Sequence, residues 1–372
     1  MTRETRRALM DRVKSVVVKL GTNVLANEKG LLDEAQIGRI VDQVVALESQ
    51  GRRVVIVSSG AIAAGLGDLA LPDRPDALPQ LQACAAVGQA KLMMMFDSAL
   101  ARHGRRAAQI LLVRGDVEDR SRYLNIRNCI AALQAYGATA VINENDTVSV
   151  DEIRFGDNDV LAAMVTNLLR ADLLVLLTTV DGVFRDRARK DRFDVVEDMG
   201  EVAAAADGTK STLGSGGMPT KLQAAGMVTQ AGEMAAIANG RRPNILVDLL
   251  AGEPVGTLFL PKARKMTARR RWIGLARRAR GKIIIDAGAA RAVRARKSLL
   301  ASGITAVEGT FQAGDVVALV DPQGRAVAQG LANYSSEDVN KIKGLRTTRF
   351  AAVLGEKTYD EVVHADNLVL TA

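Results

Sequence analysis

Two lysines stand where lysines are costly. Lys19 ends an apolar run, Lys14 to Leu20, that reads as a buried strand. Lys221 falls in the first turn of a helical pattern, behind the glycine run Gly214-Ser215-Gly216-Gly217. A cation there opposes the helix dipole, so an anionic partner is expected to offset it. Either lysine alone has an ordinary reading, one snorkelling to a sheet edge and the other lying on a solvated helix face; together they favour a site. Between them lie two polar clusters. Asn143-Glu144-Asn145-Asp146 closes an apolar strand (Ala138 to Ile142), and Gly156-Asp157-Asn158-Asp159 opens an apolar helical pattern (Val160, Leu161, Met164, Val165, Leu168). Asp and Asn are good caps and turn formers, yet two such clusters a dozen residues apart exceed that need. The carboxyl ends of strands are where open α/β sheets bind ligands. The chain has only two histidines, His103 and His364, both apart from these clusters. Chemistry here therefore runs on carboxylates, lysines and backbone amides. Turns at Gly21, Gly60 and Gly216-Gly217 would let N–H groups approach phosphate oxygens, although neither a Walker pattern nor Gly-x-Gly-x-x-Gly occurs. Lysines, backbone amides and a metal held on nucleotide phosphates make the minimal kit for phosphoryl transfer, which is mostly positioning and charge neutralisation.

The elements that would position these groups alternate. Strands are expected at 14–20, 54–57, 107–113, 139–142 and 172–178, with helices from Asp33 to Gly51 and at about 78–103, 120–135 and 158–169. The first of these helices repeats Ile37, Ile40, Val41, Val44 and Val45 at three and four, with Asp33 and Gln36 as a capping box. The run Met93-Met94-Met95 reads as core filling. A charged stretch, Arg185 to Asp198, reads as a surface loop or hairpin. A helix then opens at Pro219, whose fixed φ suits a first turn, and short strands at Asn244 to Asp248 and Gly256 to Phe259 close the domain. Strands alternating with helices imply an α/β fold whose mostly parallel sheet is covered on both faces. From Lys282 onward, strands are short and turns frequent (Ile283–Ile285, Gly303 to Val307, Val316 to Val320, Ala326 to Gly330), as in a compact β-rich second domain.

The 372 residues suffice for about two domains. Aromatics make up only 3% of the chain, so aliphatic side chains must fill the core. No run approaches the roughly 18 apolar residues of a membrane span. The N-terminus (Thr2 to Arg7) lacks an apolar signal core, so a cytoplasmic protein without membrane association is expected. Cys84 and Cys129 both fall in helical patterns and read as small buried hydrophobes in a reducing compartment. The net charge of +8 is local: Lys262 to Lys282 holds ten Lys/Arg and no acid. That segment, helical from about Thr267 with Trp272, Ile273, Leu275 and Ala276 on one side, reads as an inter-domain helix with a solvated face or as a contact for a polyanion.

Five motifs in order resemble the bacterial glutamate 5-kinase family, which joins an amino-acid-kinase domain to a C-terminal PUA domain. They are Val17-Val18-Lys19-Leu20-Gly21-Thr22, Ser59-Gly60-Ala61-Ile62-Ala63-Ala64-Gly65, Ile142-Asn143-Glu144-Asn145-Asp146, Gly156-Asp157-Asn158-Asp159 and Gly216-Gly217-Met218-Pro219-Thr220-Lys221. Kinases of carbamate, acetylglutamate, aspartate and uridylate share the first domain but usually carry a double glycine after the first lysine, where this chain has Gly21-Thr22, and they lack the PUA-like tail. The resemblance implies domains at 1–262 and 281–372 joined by a basic linker helix at 263–280. It implies phosphorylation of the L-glutamate side-chain carboxylate by ATP, with Mg2+ carried on the nucleotide and no separate protein metal site, as the first step of proline synthesis. It further implies inhibition by proline, assembly as a dimer or tetramer, and handover of product to glutamyl-phosphate reductase. Residue by residue, Lys19 and Lys221 would flank the transferred phosphoryl group and Asp159 would hold them. Ser59, Asp146 and Asn158 would bind glutamate, Asp146 through its ammonium. Gly21, Gly60 and Gly217 would supply backbone donors, with Thr178, Thr179, Gly216 and Met218 to Lys221 on the nucleotide side. Thr179 departs from the family, which often carries Asp there, and Pro219 replaces a common Ser. The PUA-like tail resembles RNA-binding modules but offers few aromatics for base stacking (Phe311, Tyr334, Phe350, Tyr359), so a structural or regulatory role is favoured over RNA binding.

Overall fold

The structure is a computed structural model that describes residues 1–27, 30–149, 158–186, 191–206, 217–262, 273–274, 279–355 and 358–371, the side chains of 203–206 excepted. It divides into two compact units, Met1–Lys265 and Met266–Ala372. The basic segment 263–280, Gly156-Asp157 and Ser215-Gly216 lie almost wholly outside the described residues.

The first unit is built on strands β1 (Ser15–Leu20), β2 (Arg53–Ser58), β3 (Arg106–Leu112), β4 (Ala138–Glu144), β5 (Leu173–Thr178), β6 (Val195–Val196), β7 (Met234–Asn239) and β8 (Thr257–Phe259). They form one sheet in the order β3-β4-β2-β1-β5-β7-β8-β6. β7 and β8 pair antiparallel, and the other pairings are parallel. The central strand β1 is buried along its whole length, which suits its β-branched Val16-Val17-Val18 run. Asp172 pins its start to β5: one carboxylate oxygen accepts from Lys14 N and Ser15 N, each at 3.0 Å, and from Ser15 Oγ at 2.9 Å.

Alternation along β1 decides where Lys19 goes. Val16, Val18 and Leu20 face the helices Glu34–Ser49 and Leu78–Ala101, packing among Ile37, Val41, Val44, Leu92 and Phe96. Val17 faces the opposite way, toward Ala162, Ala163 and Val165 of the helix Asn158–Leu169 and Ala224, Ala225 and Val228 of the helix Met218–Gln230. Lys19 shares the face of Val17. A period of two thus sends it under the two helices that carry Asp159 and Lys221.

Two glycines fix the helix that follows β2. A Cβ on Gly65 would lie 1.8 Å from the Cys84 carbonyl oxygen, and one on Gly88 would lie 1.9 Å from that of Ala61. The helices Ala61–Asp68 and Leu78–Ala101 therefore cross backbone against backbone, a separation only glycine permits. Gly60, at φ 108°, makes the left-handed turn into the first of them.

Several expectations need correction. Asn244 to Asp248 is not a strand: Asn244 sits in the left-handed region and caps the short helix Ile245–Leu250. The strand lies earlier, at β7. The capping box is half made, because Asp33 accepts from Gln36 N whereas Gln36 Nε2 donates to the Gly240 carbonyl at 2.8 Å. Met93 and Met95 pack against the core, but Met94 is 69% exposed. Cys84 is buried and Cys129 exposed.

The second unit is a five-stranded sheet in the order β10-β9-β11-β12-β13, from β9 (Gly281–Ile285), β10 (Ile304–Gly309), β11 (Val316–Val320), β12 (Ala326–Leu331) and β13 (Leu368–Leu370). Its core holds Ile283, Ile285, Val317, Leu319, Val339 and Ile342. Phe311, Tyr334 and Phe350 are core residues too, Tyr334 meeting Phe350 edge to face, so of the four aromatics expected near the surface only Tyr359 is exposed. No helix among the described residues is long and apolar enough to cross a membrane.

Candidate active site

The parallel sheet brings the carboxyl ends of β1, β2, β4 and β5 to one edge, and the polar clusters gather there. Asp159, in the first turn of the helix Asn158–Leu169, is fully buried. Lys19 Nζ lies 2.6 Å from its Oδ1, an ion pair without hydrogen-bond alignment. Lys221 Nζ donates to Oδ2 at 3.0 Å. The Thr220 hydroxyl lies 2.9 Å from the same Oδ2 and 2.9 Å from the Gly217 carbonyl. Burial alone would raise the Asp159 carboxyl, but the Lys19 and Lys221 ammonium groups hold it down at about 2. Its charge therefore contributes stability in full above about pH 4, and that contribution is lost as pH falls through about 2. Among the described residues, two buried ammonium groups converge on the carboxylate of Asp159.

A second group adjoins it. Asn158 Nδ2 is within hydrogen-bond reach of the Ser58 carbonyl (3.0 Å), Ser59 Oγ (2.9 Å) and Asn143 Oδ1 (3.0 Å). Its Oδ1 is buried and has no hydrogen-bond partner among the described residues. Asn143 Oδ1 also accepts from Glu144 N at 2.9 Å. Glu144 in turn accepts from Ser149 Oγ at 2.6 Å.

The structure thus brings together Lys19, Asp159, Thr220 and Lys221, and separately Ser59, Asn158 and Asn143. Gly60 and Gly217 cap helices of eight and thirteen residues without any side-chain cap bond, leaving the first-turn N–H groups to other acceptors. Gly21 precedes the short turn Thr22–Leu25, and a Cβ there would approach Lys19 Nζ at 3.6 Å. Met218 packs partly on the core and Pro219 is exposed. Thr178 ends β5, its carbonyl accepting from Gly240 N at 2.8 Å, and Thr179 is exposed. Asp146 is half-buried; burial pushes its carboxyl up to about 6, although Arg74 pulls it down. Among the described residues it shares no hydrogen bond with the Ser59–Asn158 group. Gly216 lies outside the described residues.

Sequence reasoning assigned no role to Asn143, although the acid–amide run contains it, or to Asn239, whose Nδ2 donates to Asp181 Oδ1 at 3.0 Å beside the ends of β5 and β7. Asn239 gives no signal in the sequence because the expected elements include no strand at Met234–Asn239. Among the described residues no three His, Cys, Asp or Glu side chains converge as metal ligands. Asp159, with both oxygens against ammonium groups, is not placed as one.

The family model for the amino acid kinase family matches residues 14–239, and that for the PUA domain matches 281–354. The glutamate 5-kinase of Syntrophotalea carbinolica is 45% identical over 98% of this chain and 99% of its own. That of Moorella thermoacetica is 43% identical over the full length of both. Among solved structures, a carbamate kinase from Giardia lamblia bound to AMP-PNP aligns with 67% of this chain and 99% of its own, at 20% identity and a TM-score of 0.49.

Proposed function

The chain belongs to the amino acid kinase family and, within it, to the glutamate 5-kinases, and from that premise we propose that it moves the γ-phosphoryl group of ATP onto the side-chain carboxylate of L-glutamate. The observation that carries this reading is the convergence of Lys19 and Lys221 on buried Asp159 at the carboxyl edge of the sheet. The nucleophile needs no general base, since a carboxylate with a pKa of about 4.3 is already ionised at neutral pH. A carboxylate oxygen attacks the γ-phosphorus, the new O–P bond forms as the bond to the β-phosphate oxygen breaks, and ADP leaves with the electron pair. The obstacle is repulsion between the two anions. Lys19 and Lys221 relieve it, and Asp159 keeps both ammonium groups pointed at the phosphoryl group through the transfer. Mg2+ would arrive on the phosphates and supply further charge neutralisation there, which fits a site whose buried carboxylate is committed to lysines. The N–H groups behind Gly60 and Gly217 suit phosphate or carboxylate oxygens. Gly21, Thr178, Thr179 and Met218 to Lys221 are assigned to the nucleotide, and Ser59, Asn158 and Asp146 to glutamate.

Asp146 gives this reading a pH signature. Only the ionised carboxylate attracts the substrate ammonium, and its pKa stands at about 6. At saturating Mg-ATP, the KM for glutamate is therefore expected to rise roughly tenfold between pH 7 and pH 5, following the unprotonated fraction. In Asp146→Ala the KM should be high throughout and flat over this range. A wild-type KM that stays level down to pH 5 would detach Asp146 from the ammonium.

The finer parts of the reading are first position in proline synthesis, inhibition by proline, assembly in two or four copies, and handover of a labile acyl phosphate to a reductase. The second unit, with Phe311, Tyr334 and Phe350 spent on its core, is assigned a structural or regulatory part. Hydroxylamine trapping tests the reaction, its acceptor and the inhibition by proline. Hydroxamate is expected from glutamate with Mg-ATP, not from aspartate or acetylglutamate, and less of it when proline is added. Signal from another acceptor alone would move the substrate, and no signal from any would overturn the reaction.

A further inference from the structure

The helix Leu78–Ala101 sends two glutamines, two turns apart on one face, toward the end of β4. Gln82 Nε2 donates to the Ser149 carbonyl at 3.3 Å. Gln89 Oε1 accepts from Asn143 Nδ2 at 2.8 Å, and Gln89 Nε2 donates to Gln109 Oε1 on β3 at 3.0 Å. With the bond from Asn158 to Asn143, these make a run of carboxamides whose donors all point outward, from Asn158 to Asn143 to Gln89 to Gln109. In such a run each bond polarises the next, and no amide can turn over without setting donor against donor.

We infer that Gln89 is a positioning residue for the amino-acid side of the site. It holds Asn143, and through it Asn158, in the orientation that leaves Asn158 Oδ1 open as an acceptor. Asn143 is buried, and its oxygen is claimed by two donors, Asn158 Nδ2 and Glu144 N. Its nitrogen needs an acceptor in turn, and Gln89 Oε1 supplies one. Without Gln89 that buried nitrogen rotates to find another partner and carries its oxygen away from Asn158. Asn158 Nδ2 then keeps only the Ser58 carbonyl and Ser59 Oγ, so its carboxamide is held less tightly and its Oδ1 is presented to the substrate in a less defined direction. The backbone at position 89 cannot shift to compensate, because Gly88 is wedged against Ala61 and Gly65. Lys19, Asp159 and Lys221 lie outside this run, so the effect falls on the amino acid and spares the phosphoryl group.

The inference rests on the reading that Asn158 faces the amino-acid substrate, and the experiment separates the two. Wild-type protein, Gln89→Met and Gln89→Glu are compared in full-length form, with KM for glutamate and for ATP read by hydroxamate formation and melting temperature read alongside. Gln89→Met, which removes the acceptor at similar volume, is expected to raise the glutamate KM roughly five- to tenfold, consistent with loss of one hydrogen bond. ATP KM should stay within about twofold and the melting temperature within a few degrees, on the same argument that the change is local. Gln89→Glu restores an acceptor and should recover most of the glutamate affinity. An unchanged glutamate KM in Gln89→Met, a parallel rise in both KM values, a large loss of melting temperature, or equal damage in Gln89→Glu would each overturn the positioning role. Wild-type protein that makes no hydroxamate from glutamate would instead remove the reading beneath it.

Discussion

Asp159→Asn is expected to lower kcat by about a thousandfold or more and to destabilise the fold by about 3–5 kcal/mol, because it takes a carboxylate partner away from two buried ammonium groups and leaves a neutral amide between them. The side chain keeps its size, so neither loss can be assigned to a cavity. Stranded cations have one escape, which is to shed protons, since burial disfavours the charged lysine and a second ammonium nearby disfavours it further. A site that has neutralised itself in this way no longer offers charge to the transferring phosphoryl group. Stability and rate should therefore fall together. Mg-ATP, whose phosphates replace the missing anion, should raise the melting temperature of the variant more than that of the wild type. Calorimetric scans with and without nucleotide, beside single-time-point hydroxamate assays, would check all three. A variant as stable and as active as the wild type would mean that Asp159 does not organise the lysines.

Lys221→Ala should divide the two effects that Asp159→Asn joins. It leaves Asp159 paired with Lys19, so no buried charge is orphaned and the melting temperature should change much less. The rate should nonetheless fall by about two orders of magnitude or more, since a preorganised charge beside the transferring group is removed. The loss should appear in kcat, with the glutamate KM nearly unchanged, because the residues proposed for the amino-acid side, Ser59, Asn158 and Asp146, form no part of the Lys221–Asp159 pair. Initial rates at saturating glutamate and Mg-ATP decide it. Activity within about threefold of wild type would detach Lys221 from the chemistry, as that is far below the effect of losing such a donor.

The contrast between the lysines and Gln89 shows what a linear sequence carries. Lys19 and Lys221 were conspicuous because each sits in local structure that should reject it, and both misfits are readable within a few residues. Their partner Asp159 lay in a cluster too polar for a simple cap. Gln89 breaks no local rule, since glutamine is at home on a half-exposed helix face, and its bond to Asn143 spans 54 residues. The strand errors have a similar origin. Met234–Asn239 is half alanine, a residue that favours helix, so only its place between β5 and β8 makes it a strand. The Gly232 turn, at φ 89°, was the one local sign of that break. Ile245-Leu246-Val247 is an apolar run that periodicity leaves undecided between a strand and a buried helix, and the left-handed Asn244 before it settles the matter. Exposure of Met94 and Cys129 likewise depends on which side of a helix the remaining chain covers.

The pinning of β1 to the start of β5 also sets a clock. The bond from Ser15 to Asp172 spans 157 residues, so during synthesis β1 can pair with β2 early while its other edge stays open until β5 emerges. At roughly 5–20 residues per second, that wait lasts on the order of 8–30 s. Through this interval the nascent chain presents an unpaired strand edge carrying the apolar run Val16-Val17-Val18, the kind of surface that recruits foreign strands. A central strand at the N-terminus therefore ties the yield of native enzyme to the speed of the ribosome and to the chaperones that shield the edge, before any question of catalysis arises.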